Sequence, residues 1–198
     1  MTNNFKRHNQ GFNLVEMLMV MAIATIVLAF AVPGIQTMAR TSSTASISNE
    51  FLNALAMARN EAIQRGYPVY ICSTADATAA SPTCNSTSAI NWDDGWLMML
   101  DEDDDGDFTD QSENPLLVHE TIRSDYSLNG ETVVKNLIGF EATGFAKQNG
   151  IIVLCSPKVV NFTTNKEYVR VISVNGSGRS RVFEGDSSAI SVSSCIPV

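Results

Sequence analysis

Few side chains in this sequence have both the type and the spacing for chemistry, and they fall in separate stretches. The segment Asp101-Glu-Asp-Asp-Asp-Gly-Asp-Phe-Thr-Asp110 sets carboxylates at alternate positions. Asp101, Asp103 and Asp105 followed by Gly106 reproduce the first half of a calcium loop, D-x-D-x-D-G, with Asp107 next and Phe108 at the apolar position. Position twelve is Ser112 instead of Glu, and the flanks read as strands, so an EF-hand is not expected. The plain reading is a solvated acidic hairpin. The sharper one is a looser loop that calcium would order, because close carboxylates repel one another without a cation.

Further on, Asn175-Gly-Ser-Gly-Arg-Ser-Arg181 combines turn glycines with two arginines. In a strand starting there, Arg179 and Arg181 are two apart and share a face. Guanidinium groups so presented can clamp phosphates bidentately. Lys147, Lys158, Lys166 and Arg170 are candidates to extend such a patch.

The other reactive types give less. Four cysteines, Cys72, Cys84, Cys155 and Cys195, allow three disulfide pairings. Cys72 with Cys84 closes a short Ser/Thr/Ala-rich loop, which leaves Cys155 with Cys195; this is the favoured pairing. A zinc site lacks CxxC spacing and nearby histidines. His119 alternates with apolar residues, and neither Ser nor Cys forms a recognisable pair with it. No catalytic residue is assigned, and no enzyme is expected.

The elements that must position these residues begin with Gly11 to Val32, GFNLVEMLMVMAIATIVLAFAV. From Phe12 to Val32 its only ionisable side chain is Glu16. At ~1.5 Å per residue the run reaches roughly 30 Å, the thickness of a bilayer core. A carboxylate there is costly and calls for a partner. Pro33-Gly34 is expected to kink or end the helix. The apolar stripe Ile47, Phe51, Leu55, Ala58, Ala62 then predicts an amphipathic helix closed by Gly66. Thr41 to Ser48 is rich in Ser and Thr, which should weaken it. Short strands are expected over 68–72, 95–100, 116–122, 136–140, 150–155, 168–174, 180–183 and 189–192. Turns are expected at Asn129-Gly130, Asn149-Gly150, Asn175-Gly176 and Gly185-Asp186. A long helix followed by hairpins gives an α+β fold, with an antiparallel sheet on the helix.

The Gly11-Phe12-x-x-x-Glu16 pattern and the uninterrupted apolar run resemble the class III signal of type IV pilins and type II secretion pseudopilins. Asn49 to Cys72 and Asp94-Gly-Trp-Leu to Phe108 narrow this to the GspH/FimT family, which includes FimT/FimU-type minor pilins. The resemblance implies a pilin fold: a leader over 1–11, a membrane and filament-core helix over 12–33, an amphipathic helix over 34–66 and a β-rich head over 67–198. It implies that a prepilin peptidase cuts after Gly11 and N-methylates Phe12, and that Glu16 pairs with the Phe12 amine during assembly. An ordinary signal peptide would instead be cut after its apolar stretch, where no A-x-A site follows.

The implied localisation is the inner membrane, single-pass with a periplasmic head, then the pilus or pseudopilus at the cell surface. The implied function is a minor pilin that primes assembly or sits at the pilus tip, with other minor pilins and the major pilin as partners. The alternative is an H-type minor pseudopilin of type II secretion. Gly178, Arg179 and Arg181 match the GRxR motif of FimT-type pilins, which implies binding of double-stranded DNA for uptake in natural transformation. No cofactor other than the possible calcium is expected.

Charge bounds these readings. The net charge is −8, and −10 once Lys6 and Arg7 leave with the leader. Such a chain is a poor general binder of nucleic acid. The charge is uneven, however: thirteen acids and one arginine lie between Asp93 and Glu131, whereas from Lys135 onward seven bases outnumber four acids.

Overall fold

The apolar run and the amphipathic stripe form one element. In a computed structural model that describes residues 13–84, 91–106, 115–122, 124–131, 133–156 and 168–185, helix α1 spans Leu14–Arg65. The expected stop at Pro33-Gly34 does not occur. A proline inside a helix loses one hydrogen bond to the carbonyl four residues back, and here the flanking turns of strong helix formers carry the helix past it. Nor do the Ser and Thr residues interrupt it. Thr44 Oγ1 donates to the Arg40 carbonyl at 2.9 Å and Ser48 Oγ to that of Ala45 at 2.9 Å. These back-bonds satisfy two hydroxyls that are otherwise buried. Gly66, at φ +75°, ends the helix, its N–H bonding the Ala62 carbonyl at 3.0 Å.

The chain divides into two units, one through Ala39 and one from Arg40. The first is the apolar half of α1. The second carries two antiparallel sheets of four strands each. One is ordered β3-β2-β1-β5, from β1 (Val69–Ser73), β2 (Trp96–Leu100), β3 (Leu117–His119) and β5 (Leu137–Phe140). The other is ordered β4-β6-β7-β8, from β4 (Ser127–Gly130), β6 (Gly150–Cys155), β7 (Val169–Val174) and β8 (Ser180–Glu184).

The sequence pattern foresees this α+β class, with two sheets in place of one. It misplaces one turn: Asn129-Gly130 closes β4, with Gly130 opposite Ile152. A Cβ on Gly130 would strike the Val134 carbonyl, so this glycine serves a close approach of two backbones. The expected strand over 189–192 lies outside the described residues.

The helical stripe is the centre of the head's core. Phe51, Leu55, Ala58 and Ala62 are fully buried among residues of both sheets, including Ile71, Trp96, Met98, Ile138, Ile152, Leu154 and Ile172. Phe51 meets Trp92 and Trp96 edge to face, with ring centroids 5.2 and 5.0 Å apart. The other face of the first sheet is also covered. Cys72, Leu97 and Met99 form a second small cluster with Cys84 and Leu137. The Cys72–Cys84 disulfide ties the segment ending at Cys84 over this face, as the short spacing suggests. Cys155 is also disulfide-bonded. Its expected partner, Cys195, lies outside the described residues.

Candidate functional site

The first unit presents an unbroken apolar surface. Leu14–Val32 has a mean hydropathy of 2.5, and none of it is buried. Leu14, Met19, Met21, Ile23 and Phe30 each expose more than 60% of their surface. A surface of this kind is covered by lipid or by other apolar helices. Glu16, in the first turn, has no ion pair among the described residues. Gly11 and Phe12 lie outside them.

The arginine turn is built by Asn175. Its N–H bonds the Arg179 carbonyl at 3.1 Å, and its carbonyl accepts Gly178 N–H at 2.9 Å. Its Oδ1 accepts Arg179 N–H at 3.0 Å and Ser177 Oγ at 2.8 Å. Gly178 sits at φ +75°, the left-handed position of such a hairpin. It is buried, because the turn docks on the connection between β5 and β6. A Cβ there would strike the Gly144 carbonyl and come within 3.0 Å of Arg59 Nε. Arg59 Nε donates to that same Gly144 carbonyl at 2.9 Å, and Ala146 N–H donates to the Gly176 carbonyl at 3.1 Å. Gly178 therefore packs against the support of the turn, and the exposed residues of the motif are Arg179 and Arg181.

Arg179 and Arg181 are exposed and have no ion pair among the described residues. Arg181 lies opposite Ser173 in the register, and Val182 turns to the core face. Of the candidates for a wider basic patch, Lys147 and Arg170 are engaged with acids. Lys147 Nζ binds Asp104 and donates to Tyr70 Oη at 2.6 Å. Arg170 lies 3.7 Å from Glu184 and donates to the Val169 carbonyl at 3.0 Å. Lys158 and Lys166 lie outside the described residues. Among the described candidates, the exposed cations without an ion pair are Arg179 and Arg181.

The acidic loop folds on itself. Asp101, Asp103 and Asp105 each offer a carboxylate oxygen, and these lie within 4.8 Å of one another. Asp101 is fully buried; its Oδ2 accepts Gly106 N–H at 3.2 Å, while its Oδ1 has no hydrogen-bond partner among the described residues. Gly106 takes φ +75° and Asp104 φ +58°, and the Asp104 carboxylate turns out to Lys147. Burial pushes the Asp101 carboxyl above its usual range, which the N–H groups of Gly106, Asp104 and Asp105 partly offset. Burial alone would lower the Lys147 ammonium, but its bonds to Asp104 and Tyr70 prevail and raise it. Asp107 lies outside the described residues.

His119 closes strand β3. Its ring stacks on Trp96, centroids 3.7 Å apart and 9° from parallel, and its Nε2 lies 3.5 Å from Glu50. Ser46 Oγ donates to the other Glu50 oxygen at 2.9 Å. The acid therefore lies between hydroxyl and imidazole, which is not the hydroxyl–imidazole–acid order of a triad. These three residues line a cleft of about 280 Å³ with Ser43, Ile47, Thr121 and Ile122. Sequence reading missed this stack, the Lys147–Asp104–Tyr70 link and the Arg59–Gly144 bond. Their partners are 23 to 85 residues apart, and no local pattern announces them.

A crystal structure of the type IV minor pilin FimU of Pseudomonas aeruginosa PAO1 is similar in fold. Its TM-score is 0.52 at 17% identity, covering 72% of this chain and 89% of that one. The minor pseudopilin EpsH of the type 2 secretion system of Vibrio cholerae gives a TM-score of 0.44 at 13% identity, over 71% and 96%. No curated protein sequence matches the chain. Residues 6–32 match the prokaryotic N-terminal methylation motif. Residues 48–178 match the family described as type II transport protein GspH, and the chain belongs to that family of minor pilins and pseudopilins.

Proposed function

We propose that this chain is a minor pilin of a type IV pilus, acting as a priming or tip subunit. The observation that carries this is the Leu14–Val32 surface, apolar and uncovered apart from Thr25 and its one acid, Glu16, followed by a head with its own core. Prepilin peptidase cuts after Gly11 and methylates Phe12. The inner membrane holds the helix while the head folds outside the cytoplasm, where its disulfides persist. A lone carboxylate at bilayer depth costs roughly 3 kcal/mol or more. The amine of a neighbouring subunit's Phe12 offsets that cost and sets the axial register.

The test is a deletion strain complemented with the wild-type gene or with Glu16→Ala. Surface pili are counted by electron microscopy, and secreted proteins are assayed. Loss of pili in the deletion and the variant, with secretion intact, is expected. Intact pili with exoproteins held in the periplasm would replace this reading with an H-type pseudopilin of type II secretion. An effect on neither would overturn both.

A second reading, capture of double-stranded DNA, is favoured by the exposure of Arg179 and Arg181 beside bases that are already paired. Contacts of this kind go to phosphates, are independent of sequence and weaken with salt. Duplex titration of the protein at two salt concentrations, beside Arg179→Gln/Arg181→Gln, tests it. Binding that falls with salt and is lost in the double variant is expected. Absence of binding by the wild type would remove this role and leave the arginines to subunit contacts.

A further inference from the structure

We propose that Asp101, Asp103 and Asp105 hold a calcium ion. Each observation on the loop bears on this separately. The alternation D-x-D-x-D-G supplies hard oxygen ligands at the first, third and fifth positions, and Gly106 takes the positive φ that a sharp turn at the sixth requires. The loop brings three carboxylate oxygens to within 4.8 Å of one another. Like charges so placed repel unless a cation lies between them.

The decisive observation is Asp101. It is the first residue after β2, held by its N–H on the Pro68 carbonyl at 3.0 Å, and fully buried. One of its oxygens accepts Gly106 N–H; the other is buried with no hydrogen-bond partner among the described residues. A buried acceptor left unpaired costs about 1–3 kcal/mol, more when charged, and such groups in folded proteins call for an explanation such as an ion. An ion shared with Asp103 and Asp105 supplies the missing partner and removes the repulsion together.

The loop also sorts its acids. Asp104 does not join the cluster; it takes φ +58° and binds Lys147. Three carboxylates therefore converge while the fourth anchors the loop to the β5–β6 connection. That same connection holds the arginine turn, through Ala146 N–H on the Gly176 carbonyl and the Gly144 carbonyl against Gly178. Calcium that orders the loop would thereby stiffen the support of Arg179 and Arg181. Three carboxylates with water and main-chain oxygens suit calcium, which accepts irregular geometry, over magnesium, which demands a near-octahedral shell.

The test uses the whole chain in detergent micelles, titrated calorimetrically with calcium chloride and, separately, magnesium chloride. Thermal melts are recorded in EDTA and in calcium. Saturable binding at one site is expected, with Kd on the order of 10⁻⁴ to 10⁻³ M and magnesium at least about tenfold weaker. Calcium at about ten times Kd should raise Tm by about 3–6 °C. Asp103→Asn/Asp105→Asn removes two of the mutually repelling charges at exposed positions, so it should keep or raise the EDTA midpoint yet lose at least about tenfold in calcium affinity. Asp104→Asn should bind calcium within about threefold of wild type. No saturable heat and no shift up to about 10 mM calcium would overturn the proposal. So would an undiminished shift in the double variant, or equal affinity for the two metals. None of these outcomes bears on whether the chain assembles into a filament.

Discussion

The acidic loop and the arginine turn use like charges at alternate positions, and the fold treats them in opposite ways. In the loop the side chains converge, and one of them is buried with an oxygen unpartnered. In the turn the backbone closes on itself through Asn175, Gly178 is buried, and the charges point out. Convergent charge suits something small enough to enter, as the proposed cation is. Divergent charge on an edge strand suits a larger partner, as proposed for the arginines. The sequence writes both as a polar, glycine-bearing stretch; burial separates them.

The sharpest way to break this comparison is at Gly178. An alanine there faces a left-handed backbone and the Gly144 carbonyl together. We expect Gly178→Ala to destabilise the head by about 2–3 kcal/mol, measured by chemical denaturation. Gly176 meets nothing within 4 Å, so Gly176→Ala should cost less than about 1 kcal/mol. Equal effects at the two glycines would show that the turn does not dock as described.

Next in size is Lys147, the residue that joins the two regions. Lys147→Met should cost about 1–2 kcal/mol at neutral pH, because it removes charge-assisted bonds to Asp104 and Tyr70. The ammonium is raised above its usual value near 10.5. Its contribution is therefore fully present below that value and fades only as the solution becomes more alkaline. A wild-type stability that exceeds the variant's by the same amount at pH 7 and at strongly alkaline pH would remove the link from the account.

These cases also show what a sequence can disclose. The stripe Phe51, Leu55, Ala58, Ala62 was legible because helical spacing is local, and Trp96 because a large apolar residue in an apolar strand has one place to go. Cys72–Cys84 and the Asn175–Arg179 hairpin were legible because their partners are near in sequence. The division into two sheets was not, since antiparallel pairings such as β1 with β5 join residues about 70 apart and depend on register. The fate of the basic residues was hidden for the same reason. Lys147 reads as a candidate for the arginine patch until Asp104 and Tyr70 are seen around it. The glycine of the GRxR motif reads as part of a binding site until Gly144 and Arg59 are seen beneath it.

A smaller effect of opposite sign is expected at Asp101. Burial raises its carboxyl above the unfolded value. A raised carboxyl favours folding below its unfolded pKa, and that advantage is lost as pH rises through the folded one. In EDTA at neutral pH, Asp101→Asn should therefore raise Tm, by about 1–3 °C, since it removes a buried charge with an unpartnered oxygen. Asp93 is raised as well, by burial and then by Asp94, and acts in the same direction. The quantity to read is accordingly the difference between wild type and variant in EDTA melts from mildly acidic to neutral pH. That difference should grow toward neutrality; one that is constant, or that favours the wild type, would mean the carboxylate is satisfied within the loop.

The smallest stability effect is expected where the functional effect is sharpest. Arg179 and Arg181 are exposed and hold nothing together, so Arg179→Gln/Arg181→Gln should leave Tm within about 2 °C of wild type. On duplex DNA the same change should lower the slope of log affinity against log salt by about two, one per phosphate contact. Arg179→Lys/Arg181→Lys keeps the charge and discards the planar fork. If the arginines act as point charges, the lysine variant binds as wild type does, with the wild-type slope. If they grip phosphates bidentately, it keeps the slope and loses several-fold in affinity. We expect the second result, because Asn175 holds the backbone of the hairpin and alternate positions on β8 put both forks on one face. A lysine variant as weak as the glutamine one would show that shape at this turn matters more than charge, and would favour a protein neighbour over DNA.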